Sequence, residues 1–206
     1  MRGTEKKKGI IWMFIGLLLL AAALFLTFYN LMDAKRAEKV SAEEVRQLLE
    51  QIDMEKEDFL GNTELYKVYP EMEMPTLEID GEHYIGVIEI PMLGLQLPVM
   101  AGEWSYKKLK IAPCRYAGSI YTDDLIIAAH NYSSHFGLIK NLKTGDEVHF
   151  IDADGHVFRY EVGWLETVDG TDPATMLKNE EKWDLTLFTC TYSGSDRYTL
   201  RCSRMK

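Results

Sequence analysis

Cysteine is scarce in this chain, and its pattern excludes the two commonest uses of a cysteine set. Only Cys114, Cys190 and Cys202 occur in 206 residues. Three is too few and too odd a number for a disulfide framework, and no pair has the two-to-four-residue spacing of a structural zinc site. No metal and no other cofactor is therefore expected, and at least one thiol is free. Basic runs are equally absent beyond the N-terminus. Without Arg2, Lys6, Lys7, Lys8 and Glu5 the chain keeps 19 basic and 31 acidic residues, a net of −12. That balance argues against nucleic acid as a partner and against tight docking on anionic lipid. No internal repeat or low-complexity tract is present.

What is present begins with an uncharged run, Ile10 to Tyr29, interrupted only by Gly16 and Thr27. Twenty helical residues at about 1.5 Å each span about 30 Å, the thickness of a bilayer core. The bases before the run predict a cytoplasmic N-terminus, with everything after Asn30 outside. Ala21 to Ala23 resemble a signal-peptide cleavage site, but the apolar run continues through Leu24, Phe25, Leu26 and Phe28. The reading is a cytoplasmic tail (1–9) and an uncleaved single-pass anchor in membrane lipid (10–29), with an extracellular remainder.

Residues 30–80 read as a helical stalk and linker. From Asp33 to Phe59, Val40, Val45, Leu48, Leu49 and Ile52 recur at helical spacing, and Ser41 with Glu44 forms a capping-box pattern that predicts a break near Ser41. A regulatory arm lying over the following domain is the alternative to a stalk. From Gly61 to Gly81, Pro70 and Pro75 punctuate an acidic linker.

After Gly81 the periodicity changes from helical to alternating. Strands are expected over Tyr84–Ile90, Leu95–Met100, Leu125–Ala129, Glu147–Ile151, His156–Leu165, Trp183–Cys190 and Arg197–Cys202, with turns at Pro91–Gly94, Gly145-Asp146 and Asp154-Gly155. Short helical pieces are expected near Ser105–Lys110, His135–Leu142 and Asp172–Asn179. Seven or eight strands over residues 81–206 predict an all-β closed barrel.

The last two strands carry the chemistry. Alternation puts Thr186, Phe188 and Cys190 on one face, and Arg197, Thr199 and Arg201 on one face of the next strand. If Cys190 lies opposite Arg197, Cys202 lies beside Leu185, about 17 Å away at about 3.4 Å per residue. A disulfide needs Cα atoms within about 7 Å, so these two thiols stay apart. Taken singly, Cys190 reads as a small buried hydrophobe, Arg197 as a surface cation and His130 as a satisfied core or loop histidine. Together a thiol, a fixed cation and an imidazole are the parts of thiol-based acyl transfer.

Thr186-Leu187-Phe188-Thr189-Cys190 followed by Arg197, with Ala129-His130-Asn131 upstream and Ile85 to Pro91 opening the barrel, resembles the sortases over about Gly81 to Lys206. The resemblance implies an eight-stranded barrel and an extracytoplasmic cysteine transpeptidase of the bacterial cell wall. It places the nucleophile at Cys190, the general acid/base at His130 and the oxyanion-stabilising or substrate-positioning cation at Arg197. Thr189 and Asn131 are the weaker candidates, for the substrate groove. The partners it implies are secreted proteins with a C-terminal LPXTG-like sorting signal, and an amine acceptor on a peptidoglycan precursor or a pilin.

Departures from the family narrow the type. The Thr191–Asp196 loop has six residues, no aspartate-proline-aromatic lid motif precedes Tyr84, and Gly163–Trp183 is short for a helix-bearing insertion. A housekeeping or class D-like anchoring enzyme is expected. A pilin-polymerising sortase and a hydrolytic cysteine peptidase are the alternatives, with a non-catalytic binding domain behind them. His135, five residues after His130, is held in reserve. Asp123-Asp124 and Glu180-Glu181 read as solvated charge rather than calcium ligands.

Overall fold

The computed structural model describes residues 2–58, 64–171, 173–177 and 183–205. The chain divides into two compact units, Met1–Arg36 and Ala37–Lys206. Helix α1 (Arg2–Asp58) supplies all the described structure of the first unit, and its apolar side chains from Ile10 to Tyr29 are exposed. It is long and apolar enough to cross a membrane. Phe59 and residues 61–63, assigned above to the helix end and the linker, lie outside the described residues.

The second unit is built from strands short enough for alternation to be read residue by residue. Helix α2 (Leu65–Val68) leads into β1 (Leu77–Ile79), β2 (Glu82–Ile90), a 3-10 turn at Pro91–Leu93, and β3 (Leu95–Met100). Helix α3 (Tyr106–Leu109), capped by the Ser105 hydroxyl, precedes β4 (Cys114–Ala117) and β5 (Leu125–Ala128). A 3-10 segment (Phe136–Asn141), β6 (Glu147–Asp152), β7 (Val157–Asp169), α4 (Pro173–Leu177), β8 (Leu185–Cys190) and β9 (Asp196–Arg204) complete it. Strands run in the order β2-β3-β4-β5-β8-β9-β7-β6, and β6 pairs back onto β2, so eight strands close into a barrel. The seam is narrowest between β3 and β4, which meet at the single pair Met100 and Cys114. Strand β1 extends one end of β2 as an antiparallel partner.

Each strand face has its own core. Leu125, Ile127 and Ala129 fill the barrel with Leu185, Leu187, Leu200 and Cys202. Ile126, Ala128 and Phe188 face the other way, into a second cluster that also takes in Val45, Leu48 and Ile52 of α1. This double burial is why β5 reads as a continuous apolar run rather than an alternating one. Burying each of those three helix side chains contributes about 1.5–3 kcal/mol.

Three segments depart from the sequence expectation. α1 continues through Ser41, whose hydroxyl donates to the Ile111 carbonyl at 2.8 Å rather than capping a helix end, and the 37–52 stretch lies on the barrel. The 64–80 part of the expected linker is pinned instead: Tyr66 stacks on Tyr121 with centroids 4.9 Å apart, and Tyr121 donates to the buried Asp152 at 2.8 Å. Strand β4 was absent from the expectation because only four residues form it, with a bulge between Arg115 and Ala117.

Docking of α1 brings a carboxyl under apolar cover. Burial pushes Glu44 up to about 7; the Tyr84 hydroxyl partly offsets this, while Asp80 and Glu82 add to it. The folded protein thus binds a proton that the unfolded chain releases near pH 4.5, so stability falls as pH rises from about 4.5 to 7. Glu44→Gln should raise the midpoint of thermal unfolding at pH 8 and flatten its pH dependence. Discounted for partial exposure, the gain is about 1 kcal/mol. An unchanged melting profile across pH 5 to 8 would refute this.

Candidate active site

Cys190 is the last residue of β8, where backbone pairing fixes its neighbours on both sides. On one side β9 runs antiparallel with Cys190 opposite Arg197 and Leu185 opposite Cys202. On the other, β5 runs parallel with Leu125 opposite Leu185 and Ala128 opposite Phe188. The Ala129 amide donates to the Phe188 carbonyl at 3.1 Å, and the Thr189 hydroxyl donates to the Ala129 carbonyl at 2.9 Å. These bonds carry the sixty-residue offset past the end of β5, so one further step sets His130 level with Cys190. Adjacent strands lie about 4.8 Å apart. The register therefore pairs Cys190 with Arg197, and the same offset carried two residues past β5 points His130 to the Cys190 level.

The three thiols differ in environment. Cys114 and Cys202 are buried, and burial pushes the first up to about 12 and the second up as well. Cys190 is half-buried. It borders a groove of about 180 Å³ lined by Trp104, Tyr116, Met176, Phe188 and Arg197 among others. Tyr116 meets Phe188 edge-on at 5.1 Å and Trp104 at 5.8 Å, so the groove wall is aromatic. Met176 is delivered by α4 and is buried. A larger cleft between α1 and Pro91–Leu97 contains none of the three candidate residues.

Arg197 and Arg201 share a face of β9 but not a role. Arg201 is buried, with Nε on Glu166 at 3.0 Å and Nη1 on the Thr186 hydroxyl at 3.1 Å, so its charge is matched in place. Arg197 Nη1 instead donates to the Gly194 and Asp196 carbonyls at 2.9 and 3.0 Å. Neutral carbonyls make its direct hydrogen bonds, and the Asp169 carboxylate of β7 lies close enough to feel its charge.

The imidazole of His130 stacks on the Tyr132 ring, centroids 3.9 Å apart and planes 19° from parallel, which fixes its plane. His130 joins the groove through Ala129 rather than lining it. His135, the reserve candidate, is fully buried and has its Nε2 3.3 Å from the Ser41 hydroxyl of α1. Burial, then the neighbouring His130, lowers its pKa to about 4, so it stays neutral. Thr189 borders the groove, yet its hydroxyl is committed to the backbone. Asn131 is absent from the lining, and its amide oxygen packs near Gly137. Asp124 caps the turn at the Ser119 amide, and Asp123 pairs with Arg204 at 2.7 Å. Glu180 and Glu181 lie outside the described residues.

A model of the sortase domain matches residues 88–205, more than half of the chain. The chain belongs to the sortase family. It is 27% identical to sortase A of Bacillus anthracis over 177 residues, covering 82% of each protein. Among solved structures, the sortase C of Streptococcus pneumoniae matches with a TM-score of 0.61 and 21% identity, over 80% of this chain and 97% of that one. A Clostridium perfringens sortase D5 transpeptidase matches at 0.57 and 20%, over 82% and 99%. The eight-stranded closed barrel expected from the sequence is the fold these sortases share.

Alternation alone did not reveal Trp104, Tyr116, Met176 or Gly170 as groove residues of this sortase. They come from loops, β4 and α4, and only the closed barrel brings them to Cys190.

Proposed function

We propose that this sortase is a membrane-anchored cysteine transpeptidase that cleaves a C-terminal LPXTG-like sorting signal and joins the released protein to an amine of a cell-wall precursor. The observation that carries the reading is Cys190 paired with Arg197 at the border of an aromatic groove, with His130 two residues past the end of the β5–β8 ladder.

The Cys190 thiolate attacks the scissile carbonyl, and Arg197 stabilises the oxyanion of the tetrahedral intermediate. His130 gives a proton to the departing amine as the C–N bond breaks, leaving a thioester on Cys190. An acceptor amine then attacks that thioester, neutral His130 takes its proton, and the thiolate leaves as the new amide forms. One amide is exchanged for another, so no nucleotide is consumed. The aromatic wall suits an extended apolar peptide, and the half-buried thiol is open to it. Residues 10–29 would hold the enzyme in the membrane with its N-terminus in the cytoplasm, placing the barrel where exported substrates emerge.

Chromatography and mass spectrometry of a sorting-signal peptide incubated with enzyme, with and without a peptidoglycan-type amine, test the reading. The amine should divert product from the free acid to the amide. Free acid alone at saturating amine would instead mark a hydrolytic peptidase.

A further inference from the structure

We propose that Gly170 is a positioning residue for Arg197: its missing side chain is the seat on which the guanidinium rests. The inference builds on the role given to Arg197 above. Gly170 follows β7, whose Val168 and Asp169 pair with Arg197 and Asp196. A Cβ built on Gly170 would lie 2.4 Å from Arg197 Nη1, 2.6 Å from its Cζ and 2.7 Å from the Ser195 carbonyl oxygen.

Space, not torsion, requires glycine here. The backbone of Gly170 lies outside the left-handed region, so any residue could adopt it. Gly194, across the same loop, is the converse case: its φ is +77°, and nothing lies within 4 Å of its would-be Cβ. Gly170 also has no slack, because its amide donates to the Ser195 carbonyl at 2.9 Å. Moving the glycine away breaks that bond. An added methyl group would push the guanidinium, the flexible partner, off the Gly194 and Asp196 carbonyls that aim it, and would also press on the Ser195 carbonyl, a backbone group that yields only if the loop shifts.

Gly170→Ala retains every candidate catalytic group and the net charge. A misplacement of about 1 Å in such a site costs about 10²-fold in rate. Single-turnover acylation of Cys190 by a sorting-signal peptide, followed by intact mass, should slow by about that factor at a temperature where the variant is fully folded. Gly170 also borders the groove, so a methyl group there could act by crowding the peptide instead. A double-mutant cycle separates the two routes. With Arg197→Ala as background there is no guanidinium to displace, and the second substitution should change the residual rate by less than about twofold.

Both variants are assayed below their melting transitions, so lost stability does not mask the coupling. Wild-type acylation by Gly170→Ala, or an undiminished penalty in the Arg197→Ala background, overturns this inference alone. Wild-type acylation by Arg197→Ala overturns the Arg197 assignment and this inference with it.

Discussion

Cys190→Ala is expected to abolish turnover of a sorting-signal peptide, with a loss of at least about 10⁴-fold. The variant should still fold and bind peptide. Cys190 ends β8 with its side chain half-buried at the groove rather than in the barrel, so removing one sulfur leaves no internal cavity. Neither remaining thiol can replace it: Cys114 and Cys202 are buried, and burial raises both pKa values far above neutral. Removing a nucleophile eliminates the covalent path outright, whereas losing a supporting group leaves the rest of the machinery in place. Cleavage assays on purified wild type and variant, with melting curves to confirm folding, decide the matter. Retained turnover would contradict the assignment.

Arg197→Ala should lower the acylation rate by about 10²–10³-fold, the usual cost of deleting one oxyanion donor. Arg197→Lys should recover only part of the loss. An ammonium preserves charge but lacks the planar fork whose Nη1 bonds two carbonyls at once. The neighbouring arginine supplies a contrast. Arg201→Ala strands the partly exposed Glu166 carboxylate and should act mainly on melting temperature rather than on the chemical step. Pre-steady-state acylation rates set against melting temperatures separate the two arginines. Equal behaviour of Arg197 and Arg201 would remove the reason for assigning catalysis to only one.

Much of this arrangement is legible in the sequence. Two-residue alternation around Cys190 and Arg197 predicted the antiparallel pairing that places Cys202 at Leu185. The sixty-residue gap between His130 and Cys190 equals the β5–β8 register offset, a relation that becomes meaningful only once those strands are parallel neighbours. Other features depended on tertiary partners. Ser41 carries a capping-box signature, yet its hydroxyl finds a carbonyl on the barrel and the helix continues. Pro70 and Pro75 mark a linker by composition, but Tyr66 and β1 fasten the flanking stretches to the barrel. Gly170 left no signal at all, because its space is defined by a side chain from β9.

The central claim is that a peptide becomes covalently attached to Cys190 before an amine receives it. Intact-protein mass spectrometry of the enzyme mixed with an LPXTG-like peptide, quenched in acid and mapped by fragmentation, tests it most directly. The account predicts a mass increase equal to the acyl fragment, located on Cys190, removed by hydroxylamine and discharged by an acceptor amine. Product formation with no adduct on Cys190 under any quench time, or an adduct on another residue, would contradict it.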